Sequence, residues 1–93
     1  MPAKGQALLA AAAERIAKGQ AQYGAPEEMF ATVAELWSVL LGTQVTAQDV
    51  TRCMIALKMV RARNAGDAAV LKDSLLDVAG YAACGWELDR GES

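Results

Sequence analysis

The sequence predicts an all-α fold, a compact bundle of four helices in a single domain that spans residues 1–93. Apolar residues recur at the three- and four-residue spacing of amphipathic helices, and no stretch alternates apolar and polar residues long enough to build a sheet. The connectors between the apolar segments are short, as they are in helical bundles. We expect the helices at about residues 4–18, 26–41, 47–65 and 67–88.

The first two predicted helices are delimited by proline and glycine. The first is alanine-rich, and Gly19 is expected to end it. The second begins at Pro26, because the missing N–H of proline costs nothing in the first helical turn, and it ends at Gly42. Its apolar side chains share one arc of the helix, made of Met29, Phe30, Val33, Leu36, Trp37, Leu40 and Leu41.

The last two predicted helices follow a capping signal. Thr46 and Asp49 have the spacing of a capping box at the start of the third helix. The fourth helix is long for a chain of this size. Trp37 and Trp86 fall on apolar faces of the second and fourth helices, and we expect both in the core or at a subunit interface.

The core of a single copy is expected to be thin. Of the 93 residues 54% are hydrophobic, but twenty residues are alanine, which fills little volume. A lone chain of this length buries only about 60–65% of the surface that it exposes when unfolded. We therefore expect a homo-oligomer, a dimer or a larger assembly.

Composition excludes several functional classes. The net charge of −2 argues against a general nucleic-acid binder, which needs excess Lys and Arg to neutralise phosphates. The absence of histidine removes histidine bases, Ser-His and Cys-His nucleophiles and most zinc sites. No apolar run reaches the about 18 residues of a membrane span. We expect a cytoplasmic protein without a membrane partner, in which Cys53 and Cys84 are buried free thiols.

Two cations of the third helix lie beside its apolar stripe rather than opposite it. These are Lys58 and Arg61. Burying such charges without compensation is too costly to tolerate. Three explanations remain open. The alkyl part of each side chain packs at the edge of the core while its charged end reaches water. Alternatively, the cations pair with carboxylates, or they bind an anion such as phosphate.

The fourth helix carries an acidic stripe that needs a partner. Asp73, Asp77 and Tyr81 are spaced four residues apart and share one face. The two carboxylates repel each other, so they call for a counter-charge. Lys58 and Arg61 are one candidate, and a Mg²⁺ ion held by Asp73 and Asp77 is another. The alternative is that both aspartates are solvated and Tyr81 is a packed side chain. In the connector before the second helix, Tyr23 either stacks on a ligand base or covers the end of the bundle.

Taken in order, these elements resemble a small domain family of phages and prophages, over about residues 12–88. The elements that carry the resemblance are Tyr23-Gly24-x-Pro26, Phe30, Leu36-Trp37, Leu41-Gly42, Lys58-x-x-Arg61 and Lys72-Asp73-x-x-x-Asp77-x-x-Gly80-Tyr81. The last of them is also similar to the nucleotide-modification-associated domains of phages. More remotely, the chain resembles the MazG-type all-α nucleoside triphosphate pyrophosphatases.

The resemblance implies a MazG-like helical fold that handles nucleotides, usually as a dimer or larger. In MazG-type enzymes two acidic groups hold Mg²⁺, which bridges phosphates and helps to activate water. Asp73 and Asp77 correspond to the second group, but the first has no counterpart here. The resemblance therefore implies nucleotide binding more than Mg²⁺-dependent pyrophosphate hydrolysis, and leaves the chain uncertain as an enzyme.

The sequence thus supports two hypotheses of different classes. In the first, a phage-type protein binds, sequesters or hydrolyses a nucleotide or nucleotide-derived ligand, for example a cyclic or ADP-ribose-type signal of host antiphage defence. The expected ligand-binding residues are Tyr23, Lys58, Arg61, Asp73, Asp77 and Tyr81. In the second, the chain is a non-catalytic protein-interaction module, and the Asp, Lys and Arg side chains form an internal ion-pair network.

Overall fold

A computed structural model describes residues 3–88 of the chain, without the side chain of Tyr23. It contains four α-helices, α1 (Lys4–Tyr23), α2 (Pro26–Leu41), α3 (Ala47–Arg63) and α4 (Ala68–Glu87). No strand occurs within residues 3–88. The predicted all-α, four-helix fold is therefore confirmed.

The first helix is longer than the sequence predicts. It continues through Gly19 and ends at Gly24, which has φ 86° and donates its backbone N–H to the Gln20 carbonyl at 3.0 Å. A glycine inside a helix costs about 1 kcal/mol, and packing against a neighbouring helix offsets a cost of that size. The prediction that Gly19 ends the helix is therefore wrong, because tertiary contacts override its low helix propensity.

Local capping signals fix the start of α3 and α4. The Thr46 hydroxyl accepts the Asp49 N–H at 3.1 Å, and the Asp49 carboxylate accepts the Thr46 N–H at 3.0 Å. This confirms the predicted capping box. Asp67 caps α4 in the same way, because its carboxylate accepts the Val70 N–H at 2.9 Å.

The four helices are arranged around α4. α3 and α4 form an antiparallel pair, since the Gln48 side chain donates to the Leu88 carbonyl at one end and Lys58 reaches Asp77 farther along. α1 packs along a neighbouring face of α4, so that Asp77 contacts both α1 and α3, and α1 runs in the same direction as α4. α2 crosses the end of this assembly and packs mainly on α3.

The core is small, as the alanine content predicts. Phe30, Ala34, Val50 and Leu88 form the buried cluster, and Val50 alone among the described large side chains is fully buried. Trp37 packs against this cluster, whereas Trp86 is 68% exposed. Trp86 therefore lies outside the core of the single chain.

The two cysteines differ in environment. Cys84 on α4 is half-buried beside the core cluster, but Cys53 on α3 is exposed. The expectation of two buried thiols is therefore wrong for Cys53, which lies on the side of α3 that faces away from α4. Within residues 3–88, no helix combines the length and the hydrophobicity that crossing a bilayer requires.

Candidate functional site

Asp77 joins three helices through two ion pairs. Its Oδ1 accepts the Arg15 Nη1–H of α1 at 2.7 Å, and its Oδ2 lies 3.1 Å from the Lys58 Nζ of α3. The side chains of Lys58 and Asp77 are only 17% and 19% exposed. Each of these charges is therefore poorly hydrated and depends on its partner.

Asp73 extends the ion-pair cluster toward solvent. Its Oδ1 lies 3.1 Å from Arg15 Nη2, and both side chains are more than half exposed. Hydrogen bonds from Arg15 to Asp77 and to Asp73 raise the pKa of the guanidinium above its ordinary value. The cluster thus holds two cations and two carboxylates, so its formal charge is zero.

The structure brings together three of the four charged residues that the sequence singled out, and it leaves Arg61 apart. Arg61 is exposed and forms no salt bridge with the described part of the chain. Three residues turn a helix by about 300°, so Arg61 sits roughly 60° from Lys58 around α3. That rotation takes it out of the α3–α4 contact.

Arg15 is the residue of the cluster that the sequence analysis missed. It lies 62 positions before Asp77, and its role depends on α1 packing beside α4 in the same direction. No local spacing predicts that contact. The available signal was the acidic stripe itself, because two carboxylates on one face need more counter-charge than Lys58 alone supplies.

A pocket of about 230 Å³ opens beside the ion-pair cluster, between α1, the start of α2 and α4. Its interior includes Phe30 and Tyr81, whose rings meet edge to face with centroids 6.0 Å apart. Arg15 and Asp77 contribute charge to an otherwise largely apolar lining. The full lining comprises Ala12, Arg15, Ile16, Gly19, Gln20, Gly24, Pro26, Met29, Phe30, Leu76, Asp77, Gly80, Tyr81 and Cys84.

Glycines create much of this space. Gly19 on α1 and Gly80 on α4 both line the pocket, and a Cβ atom built on either would meet nothing within 4 Å. Larger residues at these positions would extend into the cavity. Of the sequence-predicted site residues, Asp77 and Tyr81 line the pocket, whereas Lys58, Arg61 and Asp73 do not. Tyr23 ends α1 next to Gly24, but its side chain lies outside the described residues.

Cys84 provides a chemical reporter in the pocket wall. Its burial raises the pKa of the thiol, and the negative charges of Glu27 and Glu87 add to this effect. A raised pKa lowers the fraction of reactive thiolate. Cys53 is exposed on α3 and does not line the pocket, so it serves as an internal control in a labelling experiment.

The ion-pair cluster does not fit a Mg²⁺ ion. Both oxygens of Asp77 already face a cation, Arg15 on one side and Lys58 on the other. A divalent ion placed between Asp73 and Asp77 would meet the guanidinium that bridges them. Among residues 3–88, no three Cys, Asp or Glu side chains gather closely enough to hold a metal.

Comparison with known proteins places the chain among phage-related domains. A family model described as "Domain of unknown function (DUF6378)" matches residues 7–89. The gene 55 protein of Mycobacterium phage D29 is 36% identical over 74 residues, which cover 77% of this chain and 47% of the phage protein. The chain therefore spans about half the length of this curated relative. No solved structure gives a significant match.

Proposed function

The chain belongs to the DUF6378 family. From the geometry of the pocket we propose that it binds a nucleotide or a nucleotide-derived small molecule. The observation that carries the proposal is an apolar, aromatic pocket that opens directly beside the guanidinium of Arg15. A nucleotide presents the same two features, a planar apolar base and an anionic phosphate. The binding site proposed is the pocket between α1, α2 and α4.

The size of the pocket restricts which part of a ligand enters it. Its volume of about 230 Å³ lies below the about 300–1,000 Å³ of most small-molecule sites. One planar ring system fits this space, and the sugar and phosphates would stay at the rim. Tyr81 and Met29 offer aromatic and polarisable surfaces to a base, and the Tyr81 hydroxyl offers a hydrogen bond, while the buried Phe30 ring supports Tyr81 from behind.

Arg15 is the cation best placed for a phosphate. It is 52% exposed at the pocket rim, and a guanidinium binds phosphate oxygens through two parallel hydrogen bonds. Phosphate binding would replace the exposed Asp73 contact and keep the more buried Asp77 contact. Lys58, which the sequence favoured for this role, instead holds Asp77 in position. Asp73 and Asp77 thus orient the cations.

We favour sequestration of the ligand over its hydrolysis. The proposal rests on the poor fit of Mg²⁺ to Asp73 and Asp77, because pyrophosphatases of the MazG type depend on that metal. Sequestration requires affinity without turnover, so it needs no multi-carboxylate site. A phage protein of this kind would act in the host cytoplasm on a signal that contains a nucleotide, such as a cyclic or ADP-ribose-type signal of antiphage defence.

A thermal-shift screen tests the proposal. The melting temperature is measured with nucleotides, cyclic dinucleotides and ADP-ribose derivatives, with and without Mg²⁺, and mass spectrometry then examines each ligand that raises it. We expect a stoichiometric shift and an intact ligand. Pyrophosphate release that requires Mg²⁺ and is lost in Asp77→Asn would replace sequestration by hydrolysis. No shift with any compound would reject nucleotide binding.

Two arginine variants distinguish the assignments of the phosphate contact. Arg15→Gln should abolish most of the ligand-induced shift, measured from the melting temperature of the variant itself. Arg61→Gln makes the same chemical change at an exposed position outside the pocket and should leave the shift unchanged. Loss of the shift in Arg61→Gln alone would favour the assignment made from the sequence.

A second candidate function is a protein-interaction module without a small-molecule ligand. The observation in its favour is that the charges of Arg15, Lys58, Asp73 and Asp77 compensate one another without any ligand. On this hypothesis no nucleotide changes the melting temperature. Asp77→Ala and Lys58→Ala would destabilise the fold, as the ligand hypothesis also expects. The ligand screen therefore separates the two candidates, and the stability of these variants does not.

A further inference from the structure

One flank of α2 is apolar and uncovered in the single chain. Met29, Leu36 and Leu40 are 43%, 58% and 71% exposed, and Val33 between them is only half-buried. These four side chains lie within about 60° of one another around the helix. We call them the α2 seam. The main core contacts of α2 are made by the neighbouring flank, which carries Phe30 and Ala34, and the half-buried Val33 also touches the core cluster.

The spacing of the α2 seam is that of a helix that packs against another helix. The intervals along Met29, Val33, Leu36 and Leu40 are four, three and four residues, which is the a/d repeat of a two-helix interface. The flanking positions that usually carry charges in such pairs hold Phe30, Thr32, Trp37 and Val39. No charge beside the seam would therefore repel an identical helix or select an oppositely charged one.

The chain exposes more surface than a compact monomer of its mass, as a subunit does before it assembles with another copy. The whole chain exposes 6673 Å². A compact monomer of 9.8 kDa exposes about 5,200 Å², so roughly 1,500 Å² is in excess. A standard interface buries about 800 Å² per partner.

We propose that the α2 seam pairs with the α2 seam of a second copy of this chain, antiparallel across a two-fold axis. The interval pattern reads the same in both directions. Met29 therefore meets the partner subunit's Leu40, Val33 meets the partner subunit's Leu36, and each contact occurs twice. Glu28 and Glu35 lie about 110° and 130° around the helix from the centre of the seam, so the copies do not bring them together.

This inference does not rest on the proposed ligand. Met29 nevertheless belongs both to the seam and to the pocket lining. The partner subunit's Leu40 would therefore sit next to the mouth of the pocket. The two proposals remain separable because oligomeric state is measured without any ligand.

Sedimentation velocity on a matched pair of variants tests whether the α2 seam is the dimer interface. Wild type should sediment as a dimer and Leu36→Glu as a monomer over the same concentration series. Leu9→Glu introduces the same charge on α1 at a leucine that is 61% exposed, close to the 58% of Leu36, and it should remain dimeric. A monomeric wild type, or a Leu36→Glu variant that stays dimeric, would overturn the proposal.

A complementation experiment tests the antiparallel pairing and does not depend on one variant folding alone. Met29→Glu and Leu40→Lys should each be monomeric, because either places two like charges in the interface of a homodimer. Mixed together, they should form a heterodimer, since the new carboxylate faces the new ammonium at one end and an unchanged Met29–Leu40 contact remains at the other. Native mass spectrometry identifies it by mass. A mixture without heterodimer, alongside a wild-type dimer, would exclude the antiparallel pairing.

Discussion

The side chain of Asp77 is the point at which α1, α3 and α4 are tied together. Each of its two oxygens lies against a cation from a different helix, at 2.7 Å from Arg15 of α1 and 3.1 Å from Lys58 of α3. Because Asp77 and Lys58 are each less than one-fifth exposed, water replaces a lost partner poorly. The contribution of each charge to the free energy of unfolding therefore depends on how far its side chain is buried.

Removing the charge of Asp77 should destabilise the fold more than removing that of Asp73. Asp77→Asn leaves Lys58 poorly hydrated and without its carboxylate, and we expect a loss of about 2–3 kcal/mol in the free energy of unfolding. Asp73→Asn breaks a pair whose members are 52% and 61% exposed, so the loss should stay below about 1 kcal/mol. Urea denaturation measures both values. Equal losses would contradict this ranking.

Asp49 makes the start of α3 sensitive to acid. The hydrogen bond that its carboxylate accepts from the Thr46 backbone lowers its pKa below the ordinary value. A carboxyl whose pKa is lower in the folded state stabilises that state above its unfolded pKa, and this contribution is lost as the pH falls through the folded pKa. The stability difference between wild type and Asp49→Ala should therefore shrink as the solution is acidified through that range. A difference that does not change with pH, followed by urea denaturation, would contradict this assignment.

At the level of elements, the sequence predicts what is locally encoded. Pro26 at the start of α2, Gly42 at its end and the Thr46–Asp49 box act within a few residues, and each occurs in the structure as expected. The end of α1 is different, because the helix continues past Gly19 to Tyr23. Likewise, the apolar arc of α2 is visible in the sequence, but the way it divides between a core flank and an exposed seam is not.

Two glycines inside helices should respond oppositely to substitution. Gly19→Ala adds a methyl group that meets nothing within 4 Å, so it should stabilise the fold by about 0.5–1 kcal/mol through helix propensity. Gly85→Ala brings its methyl carbon to 3.3 Å from the Thr51 hydroxyl oxygen, where α3 and α4 touch, and this crowding should cancel the gain. Thermal unfolding of both variants measures the contrast. Equal stabilisation would show that α3 and α4 can move apart at this contact at little cost.

At the scale of the whole molecule, the sequence predicts the candidate site in part. The stripe of Asp73, Asp77 and Tyr81 follows from helical spacing, and the proximity of Lys58 follows from the antiparallel arrangement of consecutive helices. Arg15 and the pocket depend on α1 returning beside α4, a contact between opposite ends of the chain. A single sequence carries no local signal for such a contact.

Thiol labelling in the presence of a ligand tests the proposed pocket most directly. Cys84 lines the pocket, whereas the exposed Cys53 lies outside it. Mass spectrometry follows the alkylation of each thiol, with and without a saturating amount of a nucleotide-derived compound that raises the melting temperature. We expect slower alkylation of Cys84 and an unchanged rate at Cys53. An unchanged rate at Cys84 while the ligand is bound would place the ligand elsewhere and rule out the proposed pocket.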